Sequence, residues 1–385
     1  MSAVVDAPAA LEQLETPALI LDRGKLERNI RRLRERLDAL GVVLRPHLKT
    51  AKSIDVARLA MPTPQGPVTV STLKEAEYFA GHGVRDILYA VGLAPIKLPH
   101  VARIRTAGTD LAIILDSVEA ARTVAEFSHS TGGRIPVLIE IDSDGHRSGV
   151  QPREQELLLA IGRALHDGGA ELRGVMTHAG ASYDRRTPEA LAEIAEQERA
   201  AAVSCAQTLR AAGLPCPVVS VGSTPTAHFA RRLDGVTEVR AGVFMFFDLV
   251  MAGIGVCGLD DIAVSVLASV IGHQREKGWI LIDAGWMALS RDRGTAKQAL
   301  DQGYGVVCDR DGRPYPDLIV VDANQEHGIV ALRPGSRARL PDLPVGAMVR
   351  ILPNHACATA AQHDAYRLVE GSRALRALWP RFSGW

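Results

Sequence analysis

The stretch "LAIILDSVEAARTVAEFSHSTGGRIPVLIEIDSD" (residues 111–144) decides the fold of this chain. Two short apolar runs, LAIILDS and PVLIEIDSD, flank a segment whose apolar residues recur at helical spacing. Near-continuous apolar strands that alternate with helices are typical of parallel strands covered by helices. The stretch therefore predicts one strand–helix–strand unit of an α/β fold.

The same alternation extends on both sides, from about residue 40 to residue 245. It contains eight strand-like runs: VVLRPHLK (42–49), VTVST (68–72), DILYAV (86–91), LAIILDS (111–117), PVLIEIDSD (136–144), GVMTHAG (174–180), PVVSVGST (217–224) and EVRAGVF (238–244). Eight such runs favour a TIM-like (β/α)8 barrel over a doubly wound sheet. The segment 24–41 predicts a helix that leads into the first strand.

Beyond about residue 260 the sequence predicts strands without intervening helices, separated by Gly, Pro and Asp. This pattern indicates a separate antiparallel β domain, and we expect the early run TPALILD (16–22) to pair with it. The predicted barrel domain therefore spans residues 24–258. The predicted β domain combines residues 1–23 with residues 259–385.

Composition excludes several classes of partner. The 385 residues carry 44 Lys and Arg against 44 Asp and Glu, and only 4% are aromatic, which argues against nucleic acid or an anionic membrane as partner. No apolar stretch has transmembrane length, and the N-terminal stretch lacks the pattern of a signal peptide. The five scattered cysteines indicate reduced thiols and a cytoplasmic location.

Polar side chains stand at the ends of the predicted barrel strands, where the active site of such a barrel lies. We expect these strand ends to converge on one mouth, and the residues concerned are His47, Lys49, Ser71, Thr72, Asp116, Asp142, His178, Ser223 and Thr224. A solvated surface position is the competing interpretation of Lys49.

The segment VGSTPT (221–226) follows the seventh strand, at the usual phosphate site of this fold. Gly222 allows close backbone approach, while Ser223 and Thr224 offer hydroxyls. A phosphate loop and a strand-end lysine in one barrel suggest pyridoxal 5'-phosphate (PLP), because its aldehyde needs an amine for a Schiff base.

Two further loops carry candidates for binding this cofactor. Arg147, in DSDGHRSGV (142–150), supplies a cation that pairs with a phenolate or a carboxylate, unless it is a surface arginine. In THAGASY (177–183), the imidazole of His178 is a candidate to lie against a cofactor ring, and the phenol of Tyr183 to meet a ring nitrogen. A strand-end histidine satisfied by its own neighbours is the alternative.

The segment LPNHACAT (352–359) is the candidate metal site. In an extended chain, residues i and i+2 face the same side, so His355 and Cys357 are expected to reach one ion, most naturally zinc. Two protein ligands leave coordination positions for water and substrate, which is typical of a catalytic site.

With these motifs assembled, the chain resembles the fold-type III PLP enzymes, whose barrel is alanine racemase-like, and more closely the D-serine dehydratase / D-threonine aldolase family. The matching segments are RPHLKT (45–50), GSTPT (222–226), PNHACAT (353–359), VSTLKEAE (70–77), DILYAV (86–91), DGHRSGV (144–150), THAGASY (177–183), DAGWMALSRDRGT (283–295) and NQEHG (324–328). The resemblance implies that Lys49 holds PLP, that GSTPT binds its phosphate and that PNHACAT binds a divalent metal.

The resemblance also implies a reaction. Dehydratases of the family tend to carry His-x-Cys and aldolases His-x-Asp, so His355 and Cys357 favour a lyase that removes water from a D-3-hydroxy amino acid, such as D-threo-3-hydroxyaspartate or D-serine. Lys49 would act as the base, and the ion, zinc or otherwise manganese, magnesium or cobalt, would bind the hydroxyl.

Three alternatives stay open at this point. They are D-threonine aldolase-type cleavage to glycine and an aldehyde, racemisation, and PLP binding without turnover. The resemblance further implies a homodimer, with the active site between one subunit's barrel and the other's β domain. Candidates for contacts with the substrate are Arg291, Arg293, Gln325 and His327.

Overall fold

The computed structural model describes residues 10–371 and 374–385. Residues 1–9, which begin both the predicted β domain and the N-terminal stretch expected not to be a signal peptide, lie outside the described residues, as do residues 372 and 373. The described chain divides into two compact units. The barrel unit comprises residues 32–242 and 384–385, and the β unit comprises residues 10–31 and 243–383, apart from 372 and 373.

The strands of the described residues are β1 Ala18–Asp22, β2 Val43–Pro46, β3 Val68–Val70, β4 Asp86–Gly92, β5 Asp110–Leu115, β6 Pro136–Ile141, β7 Glu171–Thr177, β8 Val218–Val221, β9 Glu238–Ala241, β10 Val264–Gln274, β11 Trp279–Ile282, β12 Val306–Cys308, β13 Pro314–Ala323, β14 Gly328–Leu332, β15 Met348–Leu352, β16 Ala365–Val369 and β17 Leu375–Pro380.

The α-helices are α1 Arg23–Ala39, α2 Ile54–Ala60, α3 Leu73–Gly81, α4 Leu98–Thr106, α5 Val118–Thr131, α6 Gln155–Asp167, α7 Pro188–Ala211, α8 Thr224–Phe229, α9 Leu249–Gly253, α10 Trp286–Leu289 and α11 Ala356–Ala360. Short 3-10 turns occupy Leu11–Gln13, Pro95–Lys97, Gly180–Asp184, Val243–Met245, Leu259–Asp261, Arg275–Lys277 and Gly294–Lys297. No helix within residues 10–371 and 374–385 is long and apolar enough to cross a membrane.

The barrel unit contains a parallel sheet in the order β2-β9-β8-β7-β6-β5-β4-β3. A single bridge between His47 and Thr69 joins the two end strands, so the sheet is nearly closed. Each of the eight predicted runs overlaps one of these strands, and the prediction of a (β/α)8 barrel is confirmed. The predicted helix 24–41 forms α1.

Local sequence explains why helices begin at the ends of these strands. The side chains of Thr72, Ser117 and Thr187 accept hydrogen bonds from the backbone N–H groups three residues further on, which is the N-cap arrangement. Apolar side chains from neighbouring strands form one buried cluster, made of Leu88, Ala112, Ile114, Leu138 and Met176. The caps and this cluster fix the strand ends from which the candidate site is built.

The β unit contains a nine-stranded sheet in the order β11-β14-β13-β12-β15-β10-β1-β16-β17, and a further pairing of β10 with β11 closes six strands into a ring. The predicted partnership of the early run is confirmed, because β1 pairs with β10 and with β16. The β1–β16 pairing is parallel, although all other pairings of this sheet are antiparallel. The predicted domain boundaries at residues 24 and 258 stay a prediction.

Candidate active site

Lys49 lies in the turn that follows β2, at the carboxyl end of the barrel strands, and its side chain is exposed. Its backbone N–H donates to Nδ1 of His47 at 3.4 Å, and Nε2 of His47 lies 3.5 Å from the Ser71 hydroxyl. Burial, and then the charge of Lys49, lower the pKa of His47 well below its ordinary value. The amine therefore stands beside a neutral imidazole.

His178 follows β7, and its Nδ1 donates to the Gly222 carbonyl at 3.1 Å. Burial lowers its pKa to about 3, and the charges of Lys49, Arg240 and Arg147 act in the same direction, while the bond to Gly222 opposes them. The positive charges of these three residues thus act on a histidine that stays neutral at physiological pH. The structure brings Lys49, His178 and the Gly222 loop together, as the sequence predicted.

The loop after β8 is tightly constrained. Gly222 has φ +134°, and a Cβ there would stand 2.2 Å from the Arg240 carbonyl oxygen, so only glycine fits. Ser223 caps α8, because its Oγ accepts from the Thr226 N–H at 3.2 Å, and the same Oγ lies 2.9 Å from the Ser182 hydroxyl. Ser223 and Thr224 are both buried. The predicted phosphate loop is therefore a rigid cradle whose hydroxyls are already positioned.

Arg147 and Tyr183 lie near His178 but are less firmly held. Nη2 of Arg147 stands 3.6 Å from the Glu140 carboxylate, and the Arg147 side chain is largely exposed. Burial raises the pKa of Glu140, and Arg147 opposes that rise. The Tyr183 ring centroid is 6.3 Å from that of His178, at a tilt of 49°.

Two strand-end carboxylates are engaged within the protein. Asp116 accepts from the Gly149 N–H at 3.0 Å, and Asp142 accepts from the Gly145 N–H at 2.7 Å. Both bonds fasten the loop 142–150 that carries Arg147. These aspartates shape a site loop, and one carboxylate oxygen of each accepts from a backbone donor.

A buried network of charged residues in the barrel was not predicted from the sequence. Arg240 donates to the Thr177 carbonyl and to Ser220 Oγ, each at 2.5 Å, and Ser220 donates to Glu238 at 2.6 Å. Glu238 in turn accepts from Arg45 at 2.7 Å. Glu238 and Arg240 stand two apart in β9, and charged residues at alternate positions of a buried strand were the signal that could have revealed them.

Glu198, on α7, is a second residue that the sequence did not single out. It is buried, and its Oε1 accepts from the Ala179 N–H at 2.8 Å and from the Gly222 N–H at 3.1 Å. Burial raises its pKa, against the effect of these bonds. One carboxylate therefore joins the loop of His178 to the loop of Gly222.

In the β unit, the predicted extended geometry of the metal pair is wrong. His355 is extended, with φ −136°, but α11 begins at the next residue, and Cys357 lies inside that helix. The alanine-rich segment favours helix, and Asp248 accepts from the Ala356 N–H at 3.0 Å at its start. The two side chains nevertheless meet, because a hydrogen bond links His355 with Cys357.

Asp292 holds His355 from the other side. Nδ1 of His355 donates to Oδ2 of Asp292 at 2.6 Å. Burial lowers the pKa of His355, but the bonds to Asp292 and Cys357 outweigh it and raise that pKa to about 11. A carboxylate beside the second nitrogen of a metal-binding imidazole is a common arrangement. The arginines on either side of Asp292 were predicted as substrate contacts, whereas Asp292 itself was not predicted.

The remaining candidates of the β unit are dispersed. Arg293 pairs with Asp301 at 2.6 Å, and the Arg291 guanidinium lies 5.0 Å from the centre of the Trp286 ring. Gln325 and His327 are exposed in the turn between β13 and β14. The carbonyl of Gln325 accepts from the backbone N–H of Met287 at 3.1 Å, so this turn supports the start of α10.

The residues present fit the two implied groups. A rigid glycine loop with buried hydroxyls, next to the cations that depress the pKa of His178, suits a phosphorylated cofactor. An imidazole in contact with a thiol is a donor pair that zinc accepts. Within the described residues, no three His, Cys, Asp or Glu side chains form a group that could hold a metal ion.

Comparison with known proteins identifies the family. Residues 21–250 match the family model described as "Alanine racemase, N-terminal domain". The chain belongs to the alanine racemase N-terminal domain family. Residues 263–369 of this family member also match the model of a putative serine dehydratase domain. The predictions of a fold-type III PLP-dependent lyase and of an alanine racemase-like barrel are confirmed.

Its similarity to one relative extends over almost the whole chain. The D-threo-3-hydroxyaspartate dehydratase of Delftia sp. (strain HT23) is 57% identical over 374 residues, which cover 97% of this chain and 98% of the relative. A solved structure of a D-threo-3-hydroxyaspartate dehydratase variant, with one histidine changed to alanine, has a TM-score of 0.95 and 56% identity, covering 98% of this chain and 97% of that one.

A second solved variant of D-threo-3-hydroxyaspartate dehydratase bears on the metal. In it a cysteine, two positions after that histidine, is changed to alanine, and the structure is of the metal-free form. Its TM-score is 0.94 and its identity 56%, covering 98% of this chain and all of that chain. The spacing of the two altered residues equals that of His355 and Cys357 in this alanine racemase N-terminal domain family member.

Proposed function

We propose that this chain is a PLP- and metal-dependent dehydratase that removes water from a D-3-hydroxy amino acid. D-threo-3-hydroxyaspartate is the first candidate substrate and D-serine the second, and the products are a 2-oxo acid and ammonia. One observation carries the proposal: the strand-end amine of Lys49 stands beside the neutral imidazoles of His47 and His178, in a chain similar throughout to a dehydratase of such a substrate.

The barrel unit would hold the cofactor. Lys49 would bind its aldehyde and the loop 222–224 its phosphate, with Arg147, His178 and Tyr183 around the ring. PLP, when bound, withdraws electrons from the bonds at Cα of an amino acid.

Lys49 is proposed as the group that moves the proton. Its Nζ, once released from the cofactor, takes the proton from Cα of the substrate. His47 and His178 have lowered pKa values and stay neutral, so they add no positive charge near the amine.

The β unit would hold the ion through His355 and Cys357. A divalent ion supplies Lewis acidity that eases departure of the β-hydroxyl. Zinc is the first expectation because the donors are nitrogen and sulfur, with manganese, magnesium and cobalt as the alternatives. Asp292 keeps the His355 ring oriented through the 2.6 Å bond to Nδ1.

A homodimer and a cytoplasmic location are part of the same proposal. The family resemblance supports the dimer. The five cysteines, none of which forms a disulfide within the described part of the chain, support a reducing compartment.

Product analysis tests the proposed reaction. The protein is offered D-threo-3-hydroxyaspartate, D-serine and D-threonine, with and without a chelator, and Lys49→Ala serves as the inactive control. We expect ammonium and a 2-oxo acid, and loss of both when the chelator is present. Glycine with an aldehyde would replace the dehydratase by the aldolase, and full activity in Lys49→Ala would contradict the role of that amine.

A further inference from the structure

The proposed substrate places a constraint on the residues near the metal pair, and any inference about them rests on the proposed function. In 3-hydroxyaspartate the hydroxyl and the second carboxylate are attached to the same carbon. If the hydroxyl approaches an ion held by His355 and Cys357, the carboxylate must come close to the same part of the β unit. D-Serine has the hydroxyl but carries hydrogen in place of that carboxylate.

The cations in this part of the β unit are mostly engaged. Arg293 is held by Asp301 at 2.6 Å and lies over the Tyr304 ring. Arg381 is buried, and its guanidinium donates to the carbonyls of Ala360 and His363. These two arginines are therefore committed to internal partners.

Arg291 differs from both. Among residues 10–371 and 374–385, no carboxylate lies within ion-pair distance of its guanidinium, and its side chain is exposed. The guanidinium stands 5.0 Å from the centre of the Trp286 ring, in a cation–π arrangement. A planar guanidinium whose N–H edge remains available binds a carboxylate through two parallel hydrogen bonds.

The segment that carries Arg291 is fixed against the helix that carries Cys357. The Thr359 hydroxyl of α11 donates to the Leu289 carbonyl at 2.7 Å, and the neighbouring Asp292 holds His355 at 2.6 Å. Trp286 is anchored as well, because its backbone N–H donates to the Asn324 carbonyl at 2.9 Å. The guanidinium of Arg291 thus lies against an anchored tryptophan. Its residue immediately precedes Asp292, the partner of His355.

We propose that Arg291 is a specificity-determining residue, which binds the second carboxylate of a dicarboxylic 3-hydroxy amino acid. Asp292 does not neutralise it, since its carboxylate is bonded to His355. Arg291 would set the preference for a carboxylate on Cβ of the substrate. This preference applies equally to loss of the β-hydroxyl and to cleavage of the Cα–Cβ bond.

The test compares two substrates in the PLP- and metal-loaded enzyme, with kcat and KM measured separately. In Arg291→Ala, we expect kcat/KM for D-threo-3-hydroxyaspartate to fall about 10- to 100-fold, mainly through KM, and kcat/KM for D-serine to stay within about twofold. Arg291→Lys should recover part of the loss, because it restores the charge without the planar fork. Arg293→Ala removes the same charge two residues away and should leave the ratio between the substrates unchanged.

Equal losses for both substrates in Arg291→Ala, or no loss for either, would overturn the inference. Failure of the proposed reaction is recognised separately, by the products of the unmodified enzyme. If it forms glycine and an aldehyde, the same ratio is measured from glyoxylate and formaldehyde, the aldehydes that the two substrates would release. Turnover of neither substrate would overturn both proposals.

Discussion

The barrel unit and the β unit hold their candidate functional residues in different ways. In the barrel unit, Glu198 is buried and bonds the backbone of two loops at once. In the β unit, Asp292 holds a single side chain, and the side chains of Asp292 and His355 are 38% and 40% exposed. A buried carboxylate that satisfies backbone donors contributes to folding itself, whereas a half-exposed pair mainly orients a ligand.

Glu198→Ala should produce the largest effect on stability. The substitution leaves the N–H groups of Ala179 and Gly222 buried without an acceptor, which costs about 3 kcal/mol of unfolding free energy. Glu198→Gln retains an acceptor oxygen and should lose less. Urea denaturation measures both values, and the PLP content of the purified variants shows whether the two loops still bind the cofactor.

Glu193→Ala is the matched control for this substitution, because it makes the same change at an exposed position of α7. It should alter the unfolding free energy by less than about 0.5 kcal/mol. If the two alanine variants are equally stable, the two loops do not depend on the buried carboxylate, and the contrast with the β unit disappears.

The second effect depends on pH and comes from His178. Its pKa falls from 6.5 in the unfolded chain to about 3 in the folded one, so the unfolded chain binds the extra proton first as pH decreases. The lowered pKa of His178 therefore contributes its full stabilisation of the folded state above pH 6.5. This stabilisation is lost as the pH falls from 6.5 towards about 3. The slope is at most about 1.4 kcal/mol per pH unit.

The measurement compares the unfolding free energy at several pH values between 4 and 7 in the cofactor-free protein. His178→Gln keeps an amide donor for the Gly222 carbonyl but does not titrate, so its slope should be shallower than that of the unmodified protein. His129→Gln, at an exposed position of α5, is the control and should keep the original slope. If the slope of unfolding free energy against pH is unchanged in His178→Gln, the His178 imidazole has the same pKa in the folded and unfolded states.

The same contrast explains what could be predicted from the sequence. The eight barrel strands were predicted because their apolar runs alternate with helical segments, and the loop 221–226 because it follows the seventh run, at the usual phosphate site of this fold. Glu198 could not be found, because α7 contains several glutamates in an alanine-rich sequence and the pattern does not show which of them is buried. Tertiary packing decides which glutamate is buried, and this cannot be predicted from the neighbouring sequence.

The metal pair was found for a reason that the structure corrects. The prediction assumed an extended chain, in which His355 and Cys357 face the same side. In the structure α11 begins between them, and their side chains are still in contact. Asp292 stands more than 60 residues before His355, so only the fold brings them together. Residue types were therefore predictable here, and the partner that orients them was not.

Asp292→Asn should have the smallest effect on stability, even though it weakens the metal site. The partner ring is half-exposed, so loss of the ion pair costs less than about 1 kcal/mol of unfolding free energy. The ring of His355 loses the carboxylate that orients it, and the affinity for the divalent ion should fall about 10- to 100-fold. Titration of the apo-protein with zinc, followed by urea denaturation without metal, measures the two effects separately.

Asp301→Asn is the matched control for Asp292→Asn, because it breaks an exposed arginine pair in the same unit without contacting His355. It should leave zinc affinity unchanged. A large loss of stability with unchanged zinc affinity in Asp292→Asn would reverse the comparison, since Asp292 would then support the fold as Glu198 does. The expected result is the opposite: weaker zinc binding in a protein that stays stable. It would mean that a substitution at Asp292 changes ion affinity without destabilising the β unit, whereas a substitution at Glu198 destabilises the barrel unit.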